Sequence, residues 1–64
     1  MFKKPEELEV GDVILGHPYC TWTLTTKPED GFKVGRYSAW GTPSNPAYER
    51  NLSWWSGELV EVAD

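Results

Sequence analysis

The 64-residue sequence predicts a single all-β domain over residues 1–64, with five short antiparallel strands and one helical turn at its N-terminus. Apolar and polar residues alternate over short segments, turns rich in glycine and proline separate those segments, and no stretch shows sustained helical periodicity. Small antiparallel barrels and sandwiches have this pattern. A chain of this length buries only about 60% of the surface that its unfolded form exposes, so we expect large aromatic side chains to supply much of the core.

The first predicted elements are one helical turn and a strand. Pro5 suits the first position of a helix because its missing N–H costs nothing there, and Glu6 and Glu7 favour the positive end of the helix dipole. Gly11 ends the turn, and residues 12–16, DVILG, follow as the first strand.

The second predicted strand covers residues 20–26, CTWTLTT, in which Cys20, Trp22 and Leu24 alternate with threonines. Because threonine suits the solvated face of a pleated sheet, the pattern assigns the other three side chains to the core. Residues 27–32, KPEDGF, are predicted to form the hairpin turn that follows, since proline presets its backbone angle and glycine accepts a positive φ.

The third predicted strand, residues 32–40, returns from that turn. Alternation along it assigns residues to two faces, with Phe32 and Val34 inward and Lys33 and Tyr37 outward. Gly35 interrupts the strand and is expected to mark a bulge, after which the two faces can exchange. The orientation of Trp40 therefore stays open.

The fourth predicted strand contains two neighbouring tryptophans. It covers residues 47–55, AYERNLSWW, after a predicted loop at residues 41–46, GTPSNP. Adjacent residues on a strand face opposite sides of the sheet, so only one indole can enter the core. Leu52 makes Trp54 the inward residue, and its polar neighbours make Trp55 the outward one.

The fifth predicted strand covers residues 58–62, ELVEV, after a tight turn at residues 56–57, SG. We expect it to pair as a hairpin with the fourth strand and to direct Val60 and Val62 inward.

The segment VGDVI, residues 10–14, is preceded by the one-turn helix and followed by short strands and a final apolar strand. This arrangement resembles the small SH3-like β-barrels of many bacterial and bacteriophage accessory proteins. The resemblance implies a five-stranded SH3-like barrel and no particular activity. SH3-like domains that bind proline-rich peptides use an aromatic groove, but those groove residues cannot be aligned with this sequence, so the resemblance assigns no binding residue.

Charge and residue content limit the function classes. The net charge of −4 counts against general affinity for DNA or RNA, which depends on lysine and arginine displacing counterions from phosphate. No apolar run is long enough to span a membrane, and the N-terminus lacks the apolar core of a signal peptide. We therefore expect a cytoplasmic protein with no membrane partner, located in the host cytoplasm if it is phage-encoded.

The sequence carries no recognisable catalytic, cofactor or metal motif, so we expect no enzymatic activity. One cysteine and one histidine provide neither an intrachain disulfide nor a zinc cluster. Cys20 is predicted to face the core, where a thiol in apolar surroundings forms little thiolate. His17 lies in a Gly-His-Pro loop with no partner identifiable from the sequence, and we expect it to be exposed to solvent.

The aromatic residues exceed what the predicted core needs. The candidate protein-binding residues are the aromatics without an assigned place in the core and the arginines near them, namely Arg36, Tyr37, Trp40, Tyr48, Arg50 and Trp55. We expect a non-enzymatic protein-binding module. One form of this expectation is a phage-encoded factor that engages a host protein or self-associates as a homo-oligomer.

Two alternatives stay open. In the first, the aromatics stack the bases of a single-stranded nucleic acid while Lys33, Arg36 and Arg50 track its phosphates, although the acidic ends of the chain count against this. In the second, the chain is a subunit of a larger assembly that covers the surplus aromatics.

Overall fold

The computed structural model describes residues 1–31 and 33–64. It contains seven short strands within those residues: β1 (Phe2–Lys3), β2 (Val13–Ile14), β3 (Trp22–Leu24), β4 (Glu29–Asp30), β5 (Arg36–Pro43), β6 (Asn51–Trp55) and β7 (Val60–Glu61). One turn of 3-10 helix covers Pro5–Glu7. The predicted helical turn is therefore present, and two strands, β1 and β4, were not expected.

All strand pairs are antiparallel. β1 pairs with β7 in a two-stranded sheet, and β2, β3, β5 and β4 form the second sheet, with β6 on the other side of β5. A bridge between Ile14 and Val62 links the two sheets, and the Leu15 N–H donates to the Glu61 oxygen at 2.8 Å. The all-β antiparallel class is confirmed, whereas the described strands do not form a closed five-stranded barrel.

The 3-10 turn is held at both ends by hydrogen bonds. The Lys4 N–H donates to Glu7 Oε1 at 2.8 Å, and the Leu8 N–H donates to the Pro5 oxygen at 3.2 Å. The turn delivers Leu8 into the core, where its side chain is fully buried. Proline at the start and glutamate in the first turn produce this element for the reasons expected from the sequence.

Asp12 ties the N-terminal segment to β2. It accepts hydrogen bonds from the Glu9 N–H at 2.9 Å and from Lys3 Nζ at 3.1 Å, the latter also an ion pair. Burial raises the pKa of Asp12, but the Glu9 hydrogen bond and the Lys3 ammonium outweigh it and hold that pKa below its usual value.

Among the described residues, the core contains nine buried apolar side chains: Leu8, Ile14, Cys20, Trp22, Leu24, Ala39, Trp54, Val60 and Val62. The predicted inward orientations of the cysteine, the leucine of β3, the two valines and both core tryptophans are confirmed. Trp22 also satisfies its polar atom, since its Nε1–H donates to the Glu49 oxygen at 2.8 Å.

The predicted turn is wrong over its described part, residues 27–31. Glu29 and Asp30 instead form β4, which pairs with β5, and the chain turns at residues 33–35, where the Arg36 N–H donates to the Lys33 oxygen at 3.1 Å. Gly35 has a φ of +79°, so it supplies the left-handed backbone of this turn and not a bulge within a strand. Pairing of β4 with β5, which has no local signal in the sequence, moved the turn toward the C-terminus.

The predicted inward position of Val34 is wrong for the same reason. Val34 lies at the tip of the shifted turn, where its side chain is fully exposed at 101%. Lys33 is exposed, as predicted. Phe32, predicted to lie in the core, falls outside the described residues.

Two predicted boundaries in the C-terminal half are also wrong. β5 continues through Pro43 because Gly41 to Pro43 pair with β3, so the predicted loop at residues 41–46 begins as strand. β6 begins only at Asn51, four residues later than predicted.

The predicted hairpin between the last two strands is wrong as well. The turn at residues 56–57 is present, with a φ of +84° at Gly57, but β7 pairs with β1 and not with β6. β1 thus occupies the edge of β7 that would have paired with β6 in the hairpin. Among the described strands, β6 pairs only with β5.

Candidate functional site

The antiparallel register of β5 and β6 brings six side chains to one side of the sheet, away from the core. Cα partners are Arg36 with Trp55, Ser38 with Ser53, and Trp40 with Asn51. Ala39 and Trp54, which alternate with them along the strands, are buried on the opposite side. We call the surface formed by Arg36, Ser38, Trp40, Asn51, Ser53 and Trp55 the outer face.

An arginine and a tryptophan stack at one end of the outer face. The Arg36 guanidinium carbon lies 4.6 Å from the centroid of the Trp55 ring, within the range of a cation–π contact. Arg36 Nη2 also donates to Ser53 Oγ at 2.8 Å, which orients the guanidinium. Trp55 remains 55% exposed, so the predicted outward orientation of this residue is confirmed.

A hollow of about 490 Å³ adjoins this stack. Its walls are Gly31, Lys33, Arg36, Ser38, Asn51, Ser53 and Trp55. The lining therefore combines two cationic side chains, three short polar side chains and one indole, and no carboxylate is among these residues. Glu29, which is the register partner of Ser38 on β4, lies on the same side of the sheet but is not among the lining residues.

Trp40 stands at the other end of the outer face and is also 55% exposed. Its backbone is anchored to the segment after β3, since its N–H donates to Thr26 Oγ1 at 2.9 Å and its oxygen accepts from the Thr25 N–H at 2.9 Å. Trp40 lies four positions along β5 from Arg36, the register partner of Trp55. This offset corresponds to about 13 Å along the strand. The two exposed indoles therefore flank a polar strip.

Three of the six predicted site residues, Arg36, Trp40 and Trp55, lie together on the outer face. Tyr37 does not, and its predicted outward orientation is wrong, because its register partner Trp54 lies on the buried side. Tyr37 is half-buried, and the nearby Asp30 carboxylate, burial and the Glu6 carboxylate raise its pKa.

Tyr48 and Arg50 also lie away from the outer face. Tyr48 is half-buried and packs edge-on against Trp22 and His17, with ring centroids 6.0 and 5.0 Å away. Arg50 is exposed and precedes β6, where alternation assigns it to the side opposite Trp55, and its oxygen accepts from the Gly41 N–H at 2.8 Å.

His17 has more contacts than its sequence context indicated. It is exposed, as predicted, but its ring also lies 5.4 Å from that of Trp22, and its Nδ1 accepts from the Tyr19 N–H at 3.1 Å. The sequence identifies no partner for this ring, and the structure places it against Trp22 and Tyr48. No local pattern links residues 17, 22 and 48, so only the tertiary structure reveals this cluster.

The structure adds Lys33, Ser38, Asn51 and Ser53 to the candidate binding surface. Lys33 was expected to be exposed, but its position in the wall of the hollow depends on the shifted turn at residues 33–35. The two β6 residues alternate with core residues, and that alternation was the available signal for them. Sequence reasoning used them only to orient Trp55.

Cys20 is buried, as predicted, but its surroundings are not wholly apolar. The Ser44 hydroxyl donates to its Sγ at 3.5 Å, and the Cys20 thiol donates to the Thr21 oxygen at 3.4 Å. Burial raises its pKa, but hydrogen bonds from Ser44 and nearby backbone outweigh burial and lower that pKa below its ordinary value. The described residues include no cluster of three or more potential metal ligands.

Comparison with protein-family models, with curated proteins and with solved structures finds no match to this chain. Over the residues that the structure describes, no helix is long and apolar enough to cross a membrane.

Proposed function

We propose that this protein is a non-enzymatic protein-binding module whose partner contacts the outer face. The observation that supports this most strongly is the stack of Arg36 on Trp55, in which an indole stays more than half exposed while the strand and the guanidinium hold it in place. Tryptophan and arginine dominate the energetics of many protein interfaces. Side chains that are already ordered lose little conformational entropy on binding, which favours affinity.

The charges of the hollow indicate the chemistry of that partner. Arg36 lies in its wall, stacked on Trp55 and hydrogen-bonded to Ser53. A partner segment that carries an aspartate or glutamate next to an aromatic or apolar side chain would complement this cation and the indole beside it. The carboxylate would accept charge-assisted hydrogen bonds from the Arg36 guanidinium, and its neighbour would pack on Trp55.

The same proposal includes a relationship to SH3-like barrels. It is supported by the order of the first elements, a single helical turn followed by β2, and by the return of β7 to β1 with a bridge to β2. The resemblance concerns the fold and contributes nothing to the choice of partner.

A displayed library of random peptides, selected on the purified full chain, tests the proposal. We expect enriched peptides to contain an acidic residue beside an aromatic or apolar one. Their affinity should fall at least about tenfold for Trp55→Ala and for Arg36→Gln, because each removes an anchor of the kind that contributes more than about 1.4 kcal/mol. Val34→Ala is the matched control, since this fully exposed residue lies outside the hollow and the outer face.

Each variant is first checked by far-UV circular dichroism, so that lost binding is not confused with lost folding. Enriched peptides without acidic residues would contradict the proposed partner chemistry. Binding that is insensitive to both outer-face substitutions would contradict the proposed site.

Single-stranded nucleic acid is the competing ligand, since bases also stack on an exposed indole and phosphates also attract Lys33 and Arg36. Short oligonucleotides at low salt provide the comparison. If they bind, and Trp55→Ala abolishes that binding while no peptide is enriched, the nucleic-acid function replaces the proposed one.

A further inference from the structure

The edge of β6 that faces away from β5 is free of any strand among the described residues. This edge is separate from the outer face, since it consists of backbone groups in the plane of the sheet. An exposed strand edge is a template for pairing with another strand, and proteins usually protect such edges with charges, prolines or bulges. β6, with the sequence NLSWW, has none of these.

Two hydrogen bonds define which backbone groups of β6 point outward. The Gly41 N–H donates to the Arg50 oxygen, and the Ser56 N–H donates to the Gly35 oxygen. In an antiparallel pair, hydrogen-bonded positions alternate along the strand. Leu52 and Trp54 therefore direct their N–H and C=O groups toward β5, while Asn51, Ser53 and Trp55 direct theirs toward the free edge.

Glu58 occupies the end of this edge. Its Oε1 accepts from the Trp55 N–H at 3.1 Å, and its own N–H donates to the Trp55 oxygen at 3.1 Å. Both outward groups of Trp55 are thus satisfied within the chain. The groups left for a new strand are the N–H and C=O of Asn51 and Ser53.

These four groups match those of a second copy of the same strand. If two β6 strands run antiparallel with a two-fold axis at Leu52, Asn51 of each chain lies opposite Ser53 of the other. Each such position is a hydrogen-bonded pair, so four N–H groups meet four C=O groups in four bonds with none left over. Symmetric pairing of one patch with itself is the usual geometry of homodimers.

The side chains at this axis fit the same arrangement. Leu52 is half-buried and packs against the core, and it would lie opposite Leu52 of the second copy at a closely spaced position. Residues 51–57 carry no charge, although a quarter of the chain is charged. The charged residues that give each chain its net charge of −4 therefore all lie outside this strand.

The other described edges are less suitable. β1 and β4 each have only two residues, and each includes charged side chains, Lys3 in β1 and both residues of β4. Like charges placed opposite each other across a two-fold axis are destabilising. β6 is the longest uncharged edge that the structure describes.

From these observations we infer that the protein forms a symmetric dimer through antiparallel pairing of β6 with β6 of a second copy, centred on Leu52. The dimer would extend the five-stranded sheet across the axis and place two outer faces on one continuous surface. This inference does not depend on what binds the outer face.

Sedimentation equilibrium of the full chain over a wide concentration range tests the inference, together with amide hydrogen exchange. We expect a reversible dimer in which the Asn51 and Ser53 amides are protected more strongly as concentration rises. In a monomer these two amides face solvent and exchange quickly.

Ser53→Pro is the decisive variant. Proline removes the Ser53 N–H, which points to the free edge, and so removes no hydrogen bond between β6 and β5. Losing two of four interchain bonds should raise the dimer dissociation constant about 30-fold. Ser56→Ala, which keeps its backbone N–H and lies beyond the paired segment, should not change it. If Ser53→Pro does not fold, the exchange data on the unmodified chain decide the question.

Two results would overturn the inference. One is a monomer at every accessible concentration, and the other is a dimer whose Asn51 and Ser53 amides exchange as fast as in the monomer. Neither result bears on peptide binding by the outer face, which is measured separately with Trp55→Ala.

Discussion

Trp54 and Trp55 are adjacent in sequence, but replacing them should have very different effects on stability. Trp54 is 7% exposed and covers nearly all of its roughly 200 Å² of side-chain surface, which corresponds to about 5 kcal/mol. Trp55 is 55% exposed, so the same calculation gives about 2 kcal/mol. The unfolded chain already covers some of this surface, so both values are upper bounds.

A domain of this size has a total stability of only about 3–5 kcal/mol. We therefore expect Trp54→Ala to be unfolded at 25 °C and Trp55→Ala to remain folded with about 1–2 kcal/mol lost. Urea titration followed by far-UV circular dichroism measures both without relying on tryptophan fluorescence. Trp40→Ala is a matched control, since Trp40 is exposed to the same extent as Trp55.

The stability losses of Trp54→Ala and Trp55→Ala decide whether the two side chains lie on opposite sides of β6. Equal losses for the two neighbouring substitutions would mean that the strand does not separate them between core and surface. A folded Trp54→Ala protein with stability close to that of Trp55→Ala would refute the orientation on which the outer face depends.

Three further predictions concern the stability of the fold. Gly41→Ala should lower the free energy of unfolding by about 1–3 kcal/mol, because a Cβ there would lie 3.2 Å from a backbone oxygen of β3. Thermal denaturation measures this loss, and an unchanged melting temperature would contradict the close packing. Trp22→Phe should cost about 1–3 kcal/mol in urea titration, since the oxygen of Glu49 loses its indole donor, and a smaller loss would show that water replaces it. Asp12→Asn should reduce the acid sensitivity of the protein. Because the folded pKa of Asp12 is lowered, its stabilising contribution is complete above the unfolded value of about 4 and disappears as the pH falls through the folded value. Urea midpoints at several pH values between about 6 and 2 measure this contribution, and equal acid dependence in both proteins would refute it.

Part of the fold follows directly from local sequence. The alternation around Trp22 and Leu24 places both in the core, because the side-chain period of a strand is two wherever it occurs. The same reasoning orients Trp54 and Trp55 correctly without knowing their partners. Pro5 and the glutamates after it likewise produce a helical turn from short-range chemistry alone.

The errors arise where an element depends on residues far away in sequence. Gly35 accepts a turn as readily as a bulge, and the pairing of β4 with β5 selects the turn and exposes Val34. Pro43 reads as a loop residue, yet pairing with Trp22 keeps it in a strand.

Local sequence therefore determined which side chains of β3 and β6 are buried, because alternation within an uninterrupted strand depends only on backbone geometry. The tertiary structure alone decided which strands pair, where the chain reverses, and that Arg36 lies over Trp55 while Tyr37 and Tyr48 lie elsewhere. Those features depend on hydrogen bonds and contacts between residues distant in the chain, whose energies no short segment contains.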